Sequence, residues 1–306
     1  MKLDNLEIFV TKNKNPGKGG RYFIFVKLTT TCGIIGYGEV YAGSVAPQSM
    51  KSIISDVFER HMYNENPYNI EIMFRRAYSS GFSQRPDPTI IGAFSGLEIA
   101  CWDILGKSLN QPIHNLLGGK VRKSLRSYTY LYPKISQDSN EFYTSAALSS
   151  EAAAKAVKMG FTALKFDPAG PYTIFGGHQP TLKDLNSSKS FGSTIRETIG
   201  ERADLLFGTH GQFTPSGAIR LAQSLERFNP LWFEEPIPPE AQEICKQSLK
   251  IQRYQLQLEK DLQQNTNFQK YYDLEQPQFS SLLLVELAVF GKLKKFQQLQ
   301  KFLEPS

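Results

Sequence analysis

The chain has 306 residues, 41% hydrophobic and 21% charged, with a formal net charge of +6; this admits one large domain or two smaller ones of ordinary soluble composition. Lys and Arg are scattered, which argues against a nucleic-acid surface; no apolar run approaches the roughly 20 residues of a membrane helix, and acidic residues among the first apolar positions exclude a signal peptide. Cys32, Cys101 and Cys245 are odd in number and far apart, which predicts reduced thiols and a cytoplasmic setting.

The first elements are extended. Tyr22–Leu28 and Gly36–Val40 flank a Thr-Thr-Cys-Gly turn at 30–33 and predict a β-hairpin. Helical patterning follows over Met50–Glu59 and Ile70–Tyr78. In Gly92–Gly106, residues Phe94, Leu97, Ala100, Cys101, Ile104 and Leu105 share one helical face. This part reads as α+β and as a domain over 1–122.

Beyond it the rhythm becomes strand then helix, repeated. Ser124–Tyr132 predicts a strand, Ser149–Met159 an Ala-rich helix ended by Gly160, and Phe161–Phe166 a strand. A Gly/Pro-rich loop runs to about Lys189, followed by a helix to Ile199 and a strand over Ala203–Phe207. Thr214 is a natural N-cap with Pro215 in the first helical position, and that helix stops near Phe228, before Asn229-Pro230. Leu231–Phe233 is the next strand. Four successive βα units with apolar strands predict a parallel, TIM-type (β/α)8 architecture over 123–250, with chemistry at the carboxyl ends of the strands.

Those ends carry reactive side chains. The first strand ends in Tyr130-Leu131-Tyr132, the second in Lys165-Phe166-Asp167, the third in Gly208-Thr209-His210 and the fourth in Glu234-Glu235-Pro236. Alternate residues face one side of a strand, so Lys165, Asp167, His210 and Glu234 can converge on one cavity. Carboxylates there suit a hard cation such as Mg²⁺, and a lysine and a histidine beside it form an acid/base set.

Four segments carry a family resemblance. Gly96–Gly119 (GLEIACWDILGKSLNQPIHNLLGG) resembles the end of the capping domain in the mandelate racemase/muconate lactonizing branch of the enolase superfamily. Ala163–Gly170 (ALKFDPAG), Phe207–Gln223 and Pro230–Glu240 resemble successive barrel segments of its sugar-acid dehydratases and cycloisomerases, and the likeness covers about 1–245 in order. The resemblance implies an α+β capping domain on a modified (β/α)8 barrel, with Mg²⁺. It implies abstraction of the proton α to a carboxylate through a metal-stabilised enolate, with loss of the β-hydroxyl in dehydratases. A cycloisomerase or racemase of the same superfamily is the alternative. The implied partner is a small sugar acid, an aldonate or anhydro-aldonate, and the implied assembly a homo-oligomer.

Carried over by motif, Glu234 is the second metal ligand and Glu235 a carboxylate behind the ligands. Lys165 matches the first lysine of the family's Lys-x-Lys, and Asp167 replaces the second. Gly208 stands where the first metal carboxylate is usual, and His210 matches the histidine of acid-sugar dehydratases. Asp167 or His210 is then expected to supply the missing ligand. The capping-domain segments Lys12–Arg21 and Tyr78–Pro88 are expected to set specificity, with Arg21 and Arg85 meeting the sugar carboxylate.

The likeness stops near Lys246. Thirteen Gln residues follow residue 240, against seven before it, and no Gly occurs between Gly217 and Gly291. A barrel needs four more βα units, which the roughly 60 remaining residues cannot supply. Codons can be chosen for Gln255–Asp261 so that a reading one base earlier gives P-I-A-T-G-E-R, and for Val285–Phe296 so that the same shift gives G-R-V-G-G-I-W-E-A-K-K-I. Both strings resemble the family's next barrel segments. The expectation is a frameshift between about 246 and 253, with no selected fold over 251–306 and an incomplete barrel. The translated polypeptide is then a catalytically silent, truncated product of an enzyme lineage.

Overall fold

In the computed structural model, β1 (Leu3–Lys12), β2 (Tyr22–Thr30) and β3 (Ile35–Val40) form an antiparallel sheet in that order. The structure describes residues 1–14, 20–41, 45–85, 87–170 and 177–238 and the backbone of 256–257. These residues divide into two units, one ending at Lys123 and one beginning at Ser124. Three helices complete the first unit: α1 (Pro47–His61), α2 (Ile70–Ser79) and α3 (Pro88–Leu109), followed by the single turn α4 (Ile113–Leu116).

The sheet's inward residues Ile24, Val26, Leu28 and Val40 pack against Met50, Ile54, Val57, Met73, Leu97 and Ile104 of the helices. The predicted face of α3 is buried throughout, from Phe94 to Leu105. The helix starts earlier than the apolar pattern indicates. Asp87 caps it by accepting hydrogen bonds from Thr89 N (2.9 Å) and Ile90 N (3.3 Å), with Pro88 in the first turn. Its 22 residues are also long and apolar enough to cross a membrane, contrary to the sequence expectation, but most of the helix is buried in this core. The close fit of α3 on β3 needs residues without side chains. A methyl group at Gly36 would stand 2.1 Å from Ala100 O, and one at Gly38 1.9 Å from Gly96 O.

The second unit is a parallel sheet in the order β4 (Thr129–Tyr130), β5 (Ala163–Phe166), β6 (Asp204–Gly208), β7 (Trp232–Glu234), β8 (Leu256–Gln257). Helices α5 (Ser139–Thr144), α6 (Ala146–Lys158), α7 (Leu182–Ile199) and α8 (Pro215–Leu225) connect the strands. This is a capping domain followed by an incomplete barrel, the predicted class.

One expectation needs correction. Helix α7 begins at Leu182, where the sequence reading placed loop to about Lys189. Thr181 and Asp184 form a capping box: Thr181 Oγ1 accepts from Asp184 N (3.2 Å), and Asp184 Oδ2 accepts from Thr181 N (2.8 Å). In addition, Leu256–Gln257 pairs parallel to β7, so the parallel sheet has five strands among the described residues. The rest of 251–306 lies outside the described residues.

Candidate active site

The carboxyl edge of the parallel sheet is set by register. Tyr130 lies beside Lys165, Lys165 beside Leu206, Leu206 beside Trp232, and one step further Gly208 lies beside Glu234. Alternation sends Leu164, Phe166, Leu205, Phe207 and Phe233 into the core with the helices. The other parity, Lys165 with Asp167, Gly208, and Glu234, faces the opposite side of the sheet. The expected convergence of Lys165, Asp167, His210 and Glu234 therefore follows from strand parity.

Lys165 and Glu234 are 5% and 2% exposed and form an ion pair across two strands. The Lys165 ammonium also lies 5.4 Å from the Tyr130 ring centre and 5.9 Å from that of Tyr128, over electron-rich faces that favour a cation. A second network runs beside it. Tyr130 Oη donates to Asp167 Oδ1 and lies 3.5 Å from His210 Nε2. Asp167 Oδ2 is 3.4 Å from His210 Nε2, and Glu235 Oε2 is 3.9 Å from His210 Nδ1. The hydrogen bond to Asp167 raises the His210 pKa, against the opposing effect of burial. Burial, then the Asp167 charge, holds the Tyr130 phenol protonated well above its ordinary range.

The loops carrying these groups are zipped together. Thr209 is fully buried and its Oγ1 donates to Glu234 O (2.8 Å) and Glu235 O (3.0 Å). Gly211 N donates to Glu235 O (2.6 Å) and Phe213 N to Pro236 O (3.1 Å). His210 and Glu235 both adopt left-handed backbone, at φ 52° and 43°. Non-Gly residues take up that conformation where tertiary contacts over-determine it, and such positions cluster at functional sites.

Two participants escaped the sequence reading. Tyr130 was noted only as a strand end, although the alternation that selects Lys165 places it one strand over. Thr209 gave no signal, since its role is a bond to the backbone of a neighbouring loop. Arg21 and Arg85 belong to the first unit. Arg21 is exposed at the start of β2, and residues 15–19 of its segment lie outside the described residues. Arg85 stacks on Phe82 and Tyr78, 5.3 and 5.7 Å from the ring centres, and donates from Nε to Phe82 O at 3.2 Å.

As a cation site, the described residues offer two hard oxygen donors, Asp167 and Glu234, on either side of Gly208, where a methyl group would stand 2.7 Å from Asp167 Oδ1. That donor chemistry fits Mg²⁺. Among the described residues, no three His, Cys, Asp or Glu side chains converge into a closed ligand set.

A capping α+β unit followed by a parallel β/α sheet with acid, base and carboxylate groups at its carboxyl edge defines an enzyme scaffold of the β/α-barrel class. Comparison with known proteins narrows it. Residues 17–118 match the mandelate racemase/muconate lactonizing enzyme N-terminal domain, and residues 148–271 match the enolase C-terminal domain-like family. A mandelate racemase/muconate lactonizing enzyme-like protein from Roseovarius sp. TM1035 is 57% identical with a TM-score of 0.79, over 84% of this chain and 65% of that one. A structure of this family from Burkholderia SAR-1 is 49% identical with a TM-score of 0.83, over 90% of this chain and 68% of that one. The D-gluconate/D-galactonate dehydratase of Picrophilus torridus is 34% identical over 220 residues, 71% of this chain and 52% of the relative. The chain belongs to the mandelate racemase/muconate lactonizing enzyme family of the enolase superfamily. It spans about half the length of the curated dehydratases it matches, 52% and 54% for the first two.

Proposed function

We propose that the lineage of this chain is a Mg²⁺-dependent acid-sugar dehydratase, a carbon–oxygen lyase acting on an aldonate or anhydro-aldonate. The observation that carries this reading is the meeting of Lys165, Asp167, His210 and Glu234 at one strand edge. It is supported by relatives described as dehydratases of gluconate, galactonate and xylonate. Asp167 and Glu234 would hold Mg²⁺, which when bound supplies positive charge against the carboxylate side of the substrate. With Glu234 turned to the cation, Lys165 would release its own proton and, as the neutral amine, its Nζ would take the proton α to that carboxylate. His210 Nε2, its proton held by Asp167, protonates the departing β-hydroxyl, and Glu235 orients Nδ1 of the same ring. Arg21 and Arg85 are assigned to the sugar carboxylate from the capping domain. A cycloisomerase or racemase uses the same first step; a racemase then returns the proton to the opposite face of the α-carbon with no group lost, and a cycloisomerase breaks or forms a ring bond at the β-carbon in place of losing water.

A shifted frame beyond about 246 places the apolar pair Ile-Ala at 256–257, where β8 adds the fifth strand, and a T-G-E string directly after it. In the chain as translated, the backbone neighbour of Glu234 in that strand is Gln257, a neutral residue. On this reading the 306-residue product is catalytically silent, and the frame-restored protein is the active enzyme, cytoplasmic and homo-oligomeric. Sequencing of the coding DNA and a screen of the restored protein against an acid-sugar library with Mg²⁺ test it. Dehydration of one aldonate, lost in Lys165→Met and His210→Asn, is expected. Turnover by the 306-residue product, or DNA without those strings in the other frame, would overturn the corresponding part.

A further inference from the structure

Gly208 marks a space that Asp167 fills. A methyl group at Gly208 would stand 2.7 Å from Asp167 Oδ1 and 3.2 Å from both Lys165 Cε and Tyr130 Oη. The Asp167 carboxylate therefore occupies the volume that a side chain on β6 would take. Register sets that volume beside Glu234 on β7. Two contacts hold the carboxylate there, one from β4 and one from the loop after β6. Tyr130 on β4 donates to Oδ1, and His210 faces Oδ2 at 3.4 Å.

Resting on the reading that Asp167 and Glu234 hold a divalent cation, we propose that carboxylate duty is transposed from β6 to β5 in this chain. Gly208 makes the room, Asp167 reaches across, and Tyr130 is the positioning residue that clamps it. A carboxylate on a short stem turns about its last bond. A phenol fixed on one oxygen removes that freedom. Any side chain at 208 would push Asp167 out, so the Gly and the Asp are one device and neither is an isolated departure from a pattern.

The test is Mn²⁺ binding to the full chain by calorimetry and electron paramagnetic resonance, with chelator melts confirming that each variant folds. Asp167→Ala is expected to lose binding, and Gly208→Asp added to Asp167→Ala to regain most of it by returning a carboxylate to β6. Tyr130→Phe, which removes one oxygen, is expected to weaken binding by about 10-fold or more, as loss of a ligand-orienting bond does. A double variant as weak as Asp167→Ala, or Tyr130→Phe binding like the parent, would refute the transposition while leaving the metal reading intact. A parent chain that binds no Mn²⁺ would refute both.

Discussion

The buried Lys165–Glu234 pair gives the sharpest prediction, because both partners are almost fully removed from water. Lys165→Met keeps most of the stem volume but strands the Glu234 carboxylate in the sheet edge. Glu234→Gln keeps the shape but strands the ammonium. Breaking one side of a buried pair costs about 3–5 kcal/mol, mostly as the penalty of the uncompensated charge. The ammonium also has the Tyr130 and Tyr128 rings within 6 Å, which soften its loss of partner. Glu234→Gln is therefore expected at the lower end, about 3 kcal/mol, and Lys165→Met at the upper, about 5 kcal/mol. The double variant buries no lone charge and is expected to cost about 3 kcal/mol less than the sum of the singles. The assay is urea unfolding in chelator, read from Trp232, which lies in β7 and forms an edge contact with Tyr128 at 5.5 Å. The chain has two Trp residues, so a Trp102→Phe background isolates the signal. Singles within about 0.5 kcal/mol of the parent, or strict additivity, would show that the pair is not the buried, mutually dependent unit described.

The remaining predictions concern the scaffold. Gly38→Ala forces a methyl group against Gly96 O, a backbone atom that no rotamer change can move, so α3 must lift from β3. The expected cost is about 3 kcal/mol, the upper end for overpacking, seen as early unfolding of the first unit by Trp102 fluorescence; a parent-like curve would contradict the packing. His61 has a buried Nε2 without a partner among the described residues, and burial, then the Arg60 charge, lowers its pKa. The unfolded chain then takes up a proton near the ordinary value of about 6.5 while the fold resists it, so stability is lost as pH falls below that value and is flat above it. His61→Gln should reduce that slope in urea titrations at about pH 7.5 and 5.5, and an unchanged slope would exclude His61 as its source. Thr181→Ala removes the capping box of α7 and should cost about 1 kcal/mol. Amide exchange should quicken in the first turn of that helix and not in its last.

What the sequence revealed and what it hid divide along a physical line. Strand parity is local, so Lys165-x-Asp167 and Gly208-x-His210 announced their faces without any tertiary information. The apolar face of α3 was equally plain, since six of its residues repeat at helical spacing. The start of α7 was hidden because Leu182–Ser190 holds Lys, Asp, Asn and Ser with only Leu182 and Leu185 as apolar marks, and the helix there rests on its cap. Tyr130 was hidden because β4 has only two residues, and an aromatic at a strand end reads as core. The strained corner at Glu235 is the clearest case of tertiary structure overruling local preference. Pro236 disfavours helical conformations in the residue before it and pushes that residue toward extended backbone. Glu235 nonetheless sits at φ 43°. A cost of about 1–3 kcal/mol is ordinary for such a position. It is offset by three hydrogen bonds that Thr209 Oγ1 and Gly211 N send to the backbone carbonyls of Glu234 and Glu235. The result turns two adjacent carboxylates apart, one to Lys165 and one to His210. A relaxed extended strand would also send neighbours to opposite faces, but it would carry Glu235 to the helix side, the face that Phe233 occupies. The left-handed turn keeps both carboxylates at the strand edge, which is what a site with a lysine on one side and a histidine on the other requires.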